Sequence, residues 1–222
     1  MSVARYTPVQ AAVGEFIATA FLLIAVAGSG IAAERLSGGI AGLALLANAL
    51  ATAGALFVLV LTFGPVSGAH MNPVVTLAAV FAGGFPRGEA ALYIVAKIAG
   101  AVIGVWLAHG MFDLPVLELG THVRTGVGQW VAEMIATIGL LGVVWGCMHY
   151  GTPTVAGAVA AYIGGAYWFT ASTSFANPAV TLARALTDTF SGIRPIDAPG
   201  FILAQLAGLA LMLPLLRRLS KA

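Results

Sequence analysis

Apolar stretches of membrane-spanning length dominate the chain. Six windows of about 20 predominantly apolar residues, at roughly 9–31, 40–63, 90–110, 128–148, 153–172 and 199–216, are separated by short breaks, and each can cross a ~30 Å hydrocarbon layer as a helix. Two further apolar pieces are too short to cross, one between the second and third windows and one between the fifth and sixth. Asn72 to Ala82 is 11 residues, which makes about 16 Å of helix, half of a span.

The same text is written twice. GEFIAT from Gly14 matches AEMIAT from Ala132, NPVVTLA from Asn72 matches NPAVTLA from Asn177, and YIVAKIAG from Tyr93 matches FILAQLAG from Phe201, all in one order. The chain therefore reads as one transmembrane domain, 1–222, of two repeats, 1–115 and 125–222, each with three full spans and one half-span. Three crossings return the chain on the opposite side, so the repeats are inverted, and such repeats place two equivalent short elements near the bilayer midplane, where solute sites form.

Composition narrows the classes. Hydrophobic residues make up 60% of the chain and charged ones 8%, against about 25% charged in ordinary soluble domains. The net charge of +2 with scattered Lys and Arg excludes the basic stripe that nucleic acid binding needs. Cys147 stands alone, so neither an internal disulfide nor a cysteine metal site can be built, and it reads as a small apolar core residue. The first apolar segment follows Arg5 in the manner of a secretory signal, but it carries Glu15 and recurs in mid-chain, which argues for a permanent span.

Asn followed by Pro is a helix start with a clear physical logic: Asn caps exposed backbone amides, and Pro at the first helical position gives up no needed donor. One copy would be an ordinary helix start. Two copies in apolar repeats bring Asn72 and Asn177 together at mid-membrane if the half-helices meet end to end, with both positive dipole ends behind them. Cations are repelled there, whereas a neutral polar solute can accept hydrogen bonds from the amides. Glu15 and Glu133 fall inside apolar spans, where a carboxylate needs partners. Between a proton-relay acid and a carboxylate that accepts bonds from a re-entrant loop, their symmetric placement favours the second. Lys97 stands opposite Gln205 in the repeat and is expected to pair with Glu15 or Glu133.

SGAHMNPVVTL from Ser67, FANPAVTLA from Phe175 and the two repeat-opening glutamates resemble the aquaporin, or major intrinsic protein, family over nearly the whole chain. The resemblance implies an all-α membrane protein, a right-handed bundle of six transmembrane helices plus two re-entrant half-helices, assembled as a homotetramer with one pore per subunit. It implies a central constriction at Asn72, Pro73, Val74, Asn177, Pro178 and Ala179, loop support by Glu15 and Glu133, and a pore-lining His70, which could equally be a satisfied loop histidine.

The family's outer constriction has four positions, in water-selective members an aromatic, a histidine, a small residue and an arginine. Counting from the Asn-Pro turns puts them here at Thr52, Gly165, Ser174 and Val180, with Ala53 and Gly54 one shift from the first. Loss of the arginine and of any side chain at Gly165 implies a wide, fairly apolar passage for small uncharged solutes: water, glycerol and neutral metalloid hydroxides such as arsenite, as in a bacterial aquaglyceroporin. Arg184 lies too far along to replace that arginine directly and is expected to anchor the outer loop, pairing with Asp188 at helical spacing.

No cofactor or metal site is expected; the partners are the lipid bilayer and small neutral solutes, with no nucleic acid. Arg5, Arg87, Arg217, Arg218 and Lys221 against Arg35, Arg124 and Arg194 place both termini in the cytoplasm, and the resemblance implies a bacterial inner-membrane protein. An intramembrane enzyme using Glu15, Glu133, His70 or Cys147 lacks a metal-ligand pair or a nucleophile motif. An ion-conducting or a non-conducting protein on the same fold is the remaining alternative.

Overall fold

The computed structural model describes residues 6–219, so Arg5 and Lys221, part of the orientation argument, lie outside the described residues. Eight α-helices follow in order, and no strand occurs among the described residues: α1 (Pro8–Leu36), α2 (Ala41–Ser67), α3 (Pro73–Ala82), α4 (Arg87–Met111), α5 (Val127–Cys147), α6 (Thr152–Phe169), α7 (Pro178–Arg184) and α8 (Ala198–Leu219). The protein is all-α with long apolar helices, as its pattern predicts. Five helices are long and apolar enough to cross a membrane. The sixth expected span, α6, forms as an 18-residue helix of about 27 Å, but its Thr, Pro, Gly and Tyr content keeps it below that apolarity.

Helix ends follow local chemistry. Thr7 caps α1 in a reciprocal capping box with Gln10, and Gly68 and Gly83 close α2 and α3 in the left-handed conformation, which glycine adopts without steric cost.

Packing pairs recur in the two halves: α1 lies on α4 as α5 lies on α8, and each short helix packs on α4 and α8. The glycines that end the third matched segment explain the closeness of these pairs. A Cβ on Gly100 would stand 2.2 Å from the Phe16 carbonyl oxygen of α1, and one on Gly208 would stand 2.7 Å from the Met134 carbonyl oxygen of α5. Small residues are what allow membrane helices to approach so closely. Large apolar side chains such as Leu50, Val58, Val95 and Leu203 point outward, as expected of a surface solvated by lipid rather than water.

Candidate functional site

The two Asn-Pro turns meet. Asn72 Oδ1 accepts from the Val74 amide at 2.9 Å and caps α3, while Asn177 Oδ1 accepts from Ala179 and Val180 at 3.0 and 3.3 Å and caps α7. Each side-chain amide then reaches across: Asn72 Nδ2 donates to the Ala176 carbonyl at 2.7 Å, and Asn177 Nδ2 donates to the Met71 carbonyl at 2.8 Å. An Asn amide has two N–H groups, so one hydrogen on each remains for a solute. The helices run apart from this junction with both positive dipole ends turned towards it.

Non-glycine residues hold left-handed backbone at matching places beside each turn, Ala69 and Met71 at φ 47° and 47°, Ser174 and Ala176 at φ 53° and 48°. That conformation costs about 1–2 kcal/mol per residue, and the repeat-opening glutamates offset it. Glu15 accepts from the Ser67 hydroxyl and the His70 and Met71 amides at 2.7–2.8 Å. Glu133 accepts from the Phe175 and Ala176 amides at 2.8 Å and from Gln205 at 2.6 Å. Both carboxylates are fully buried and both accept from loop amides as well as from a side chain of a neighbouring long helix, Lys97 or Gln205, which is the structural rather than the acid–base arrangement.

Lys97 pairs with Glu15, 3.3 Å away, both side chains fully buried, and donates to the Thr76 hydroxyl. In the other half Gln205 bonds to Glu133 and to Thr181 at 2.9 Å, so an ammonium and an amide perform the same double task. Lys97→Met should therefore lower stability by about 3–5 kcal/mol, because a buried carboxylate loses its counter-charge, whereas Lys97→Gln should recover most of it. Thermal unfolding in detergent, followed by size-exclusion chromatography, checks the order; a Met variant as stable as wild type would refute it.

A single cavity of about 490 Å³ touches both asparagines and extends from Ala82 to Arg184, the far ends of the two short helices. Of the sequence-derived positions, Thr52, His70, Ser174 and Val180 line it. Pro73, Val74, Pro178 and Ala179 are buried behind the asparagines and do not. Thr52 faces inward, and neither Ala53 nor Gly54 does. His70 Nδ1 lies 3.0 Å from the Thr76 hydroxyl, with the ring against Phe85 and Tyr93.

Three positions differ from expectation. Gly165 is exposed on the outer side of α6 and does not line the cavity; Ile163 and Tyr167 do, because residues four apart share a helix face while one midway between them points the other way. Tyr167 donates to the Thr52 hydroxyl at 3.3 Å, so an aromatic side chain stands where an open space was expected. Arg184 does not pair with Asp188. α7 ends at Arg184, which removes the helical spacing, and Asp188 instead accepts from the Thr121 amide and hydroxyl at 2.8 and 2.7 Å. Arg184 is 2% exposed, bonds to the Ser191 carbonyl and lines the cavity. Cys147, expected in the core, is only half-buried at the end of α5.

Sequence reasoning missed the residues that fasten the segments around α7. His109 is fully buried between the Pro115 carbonyl and the Thr187 hydroxyl, both at 2.6 Å. Arg124 donates to the Gly192 carbonyl at 2.8 Å, and its backbone amide donates to Asp197 at 2.9 Å. Arg194 bonds Asp197 through two nitrogens at 2.9 and 3.0 Å, which holds that carboxyl below the usual carboxylate range. The long-range anchors among these, His109 to Thr187 and Arg124 to Gly192 and Asp197, leave no periodic trace. Among the described residues no group of His, Cys, Asp or Glu has a metal-binding arrangement.

Comparison with known proteins agrees with this geometry. The chain is 50% identical to Aquaglyceroporin AqpS of Rhizobium meliloti (strain 1021) over 205 residues, covering 92% of this chain and 88% of that one. It is 38% identical to Probable aquaporin TIP1-1 of Oryza sativa subsp. japonica over 141 residues, 61% of this chain and 56% of that one. The crystal structure of the aquaglyceroporin from Plasmodium falciparum shares the fold with a TM-score of 0.74 at 19% identity, covering 97% of each chain. Residues 2–171 match the sequence model of the Major intrinsic protein family. An integral membrane protein with paired half-helices around one continuous cavity, and with relatives of this kind, is a channel and not an enzyme: the chain belongs to the major intrinsic protein family.

Proposed function

We propose that this channel passes water, glycerol and neutral metalloid hydroxides such as arsenite, passively and down their gradients. One observation carries the reading: the cavity wall presents Val180 one turn beyond Asn177, where the family's water-selective members carry a guanidinium. A methyl-bearing side chain there favours solutes with apolar surface and admits larger ones than water. The aquaglyceroporin at 50% identity supports the same direction. Tyr167 narrows the passage from the α6 side, so its width lies between that of an open tube and that of a water-only filter.

Asn72, Pro73 and Val74 with Asn177, Pro178 and Ala179 form the central constriction in this reading, with only the two asparagines touching the solute. Thr52, Tyr167, Ser174 and Val180 form the outer one. Both termini lie in the cytoplasm of a bacterial inner membrane. Arg217, which donates to the Phe81 carbonyl near the end of α3 at 3.2 Å, marks the cytoplasmic end together with Arg87 and Arg218, in keeping with the excess of cations on that side. Four copies assemble with their outward apolar faces in contact and one pore in each.

Stopped-flow light scattering on proteoliposomes, with separate water, glycerol, urea and arsenite gradients, tests this. Glycerol and arsenite permeabilities at least tenfold above those of empty vesicles are expected. Water flux alone would remove the wide-pore reading, and no flux of any solute would remove the channel assignment for this chain.

A further inference from the structure

We infer that Arg184 is the specificity-determining cation of this pore, placed one helical turn beyond the position that Val180 leaves uncharged. The inference rests on the channel reading above and adds a residue to it.

Val180 and Arg184 are four apart on α7 and so share one face, about 6 Å apart along the axis; both line the cavity. The guanidinium is held in a fixed pose. Its Nε donates to the Ser191 carbonyl, and its carbon lies 3.4 Å from the centroid of the Phe175 ring, a stacking that suits the planar arginine head. Among the described residues the ion pairs are Lys97–Glu15, His122–Asp188 and Arg194–Asp197, so no carboxylate is in ion-pair contact with Arg184, and Glu133 acts on it only from beyond that distance. Its two terminal nitrogens make no hydrogen bond to any described residue, yet neither is sealed from open space among the buried unpartnered atoms. The cavity is the space beside this residue, and those donors face it.

Two neighbours sharpen the argument. Arg124 shares the Phe175 ring at 5.2 Å but spends its nitrogens on the Gly192, Ser172 and Phe190 carbonyls, so it braces the loop while Arg184 stays free. Ser174 lines the cavity, but its hydroxyl is sealed from open space and has no partner, so of these two residues only Arg184 presents polar atoms to a solute. A solute hydroxyl oxygen passing here can accept from the Arg184 fork, whereas a hydronium or metal cation meets a positive charge that no carboxylate contacts, in a site of low dielectric. Width and charge selection are thus carried by different residues, Val180 and Arg184.

The full-length protein in liposomes tests this with two readouts, glycerol flux by light scattering and proton leak by an entrapped pH dye, for wild type, Arg184→Lys, Arg184→Gln and Arg184→Met. Proton leak per subunit should rise at least tenfold in the Gln and Met variants and stay near wild type in the Lys variant, with glycerol flux above empty vesicles as the sign of an assembled pore. A Gln variant that conducts glycerol and remains as proton-tight as wild type overturns the assignment. A wild type without flux overturns the channel reading and this inference with it. Should the neutral variants fail to assemble, butanedione treatment of the wild-type protein followed by peptide mapping decides: Arg184 should be modified, and less so in high glycerol, and an unmodified Arg184 in a conducting channel overturns the proposal.

Discussion

Glu133→Ala should lower the midpoint of thermal unfolding in detergent by roughly 10 °C and reduce the yield of assembled protein, with Glu133→Gln in between. The carboxylate accepts from two loop amides and from Gln205. Removing it leaves two buried backbone N–H groups without partners at about 1–3 kcal/mol each. The same deletion releases the left-handed residues Ser174 and Ala176 from the contact that holds them, and with them the pose of Asn177. Glutamine keeps one acceptor but turns an NH₂ towards a loop N–H, so it restores part of the loss. Size-exclusion thermal profiles of the three proteins, paired with glycerol flux per subunit, give the order wild type, Gln, Ala. An alanine variant as stable as wild type would show that the loop is held by packing alone.

The second large effect concerns size rather than stability. Val180→Arg should cut glycerol permeability at least tenfold, equivalent to about 1.4 kcal/mol in barrier, while water permeability falls much less. The new side chain would enter a cavity of about 490 Å³ beside Thr52, Tyr167 and Ser174, and at i, i+4 from Arg184 it would add like-charge repulsion. Val180→Leu, larger but uncharged, should give a smaller fall in glycerol flux. Equal glycerol flux in wild type and in a water-conducting Arg variant would refute the view that position 180 sets the width.

Much of the fold was legible because lipid imposes simple rules. The six apolar windows, the half-span from Asn72 and the matched segments map directly onto helices, and Glu15, Glu133 and Lys97 were marked by their cost in an apolar span. Legibility stopped where direction rather than identity matters. Counting from Asn177 reached Gly165, but the rotation of α6 about its own axis, set by packing against α2, turns Ile163 and Tyr167 inward instead. Arg184 does bond the outer loop, through the Ser191 carbonyl, but the sequence cannot reveal that α7 stops at that residue and frees it from Asp188. His109 and Arg124 bond to partners far along the chain, a relation that no local pattern encodes.

The crossed amide bonds between the turns bear on biosynthesis. Asn72 needs the carbonyl of Ala176 and Met71 needs the amide of Asn177, partners separated by 104 and 106 positions. While the ribosome is still extending the second half, the first re-entrant segment has polar groups at bilayer depth that nothing yet satisfies. That segment can settle in its final depth only when its counterpart arrives, so maturation of the first half waits on translation of the second.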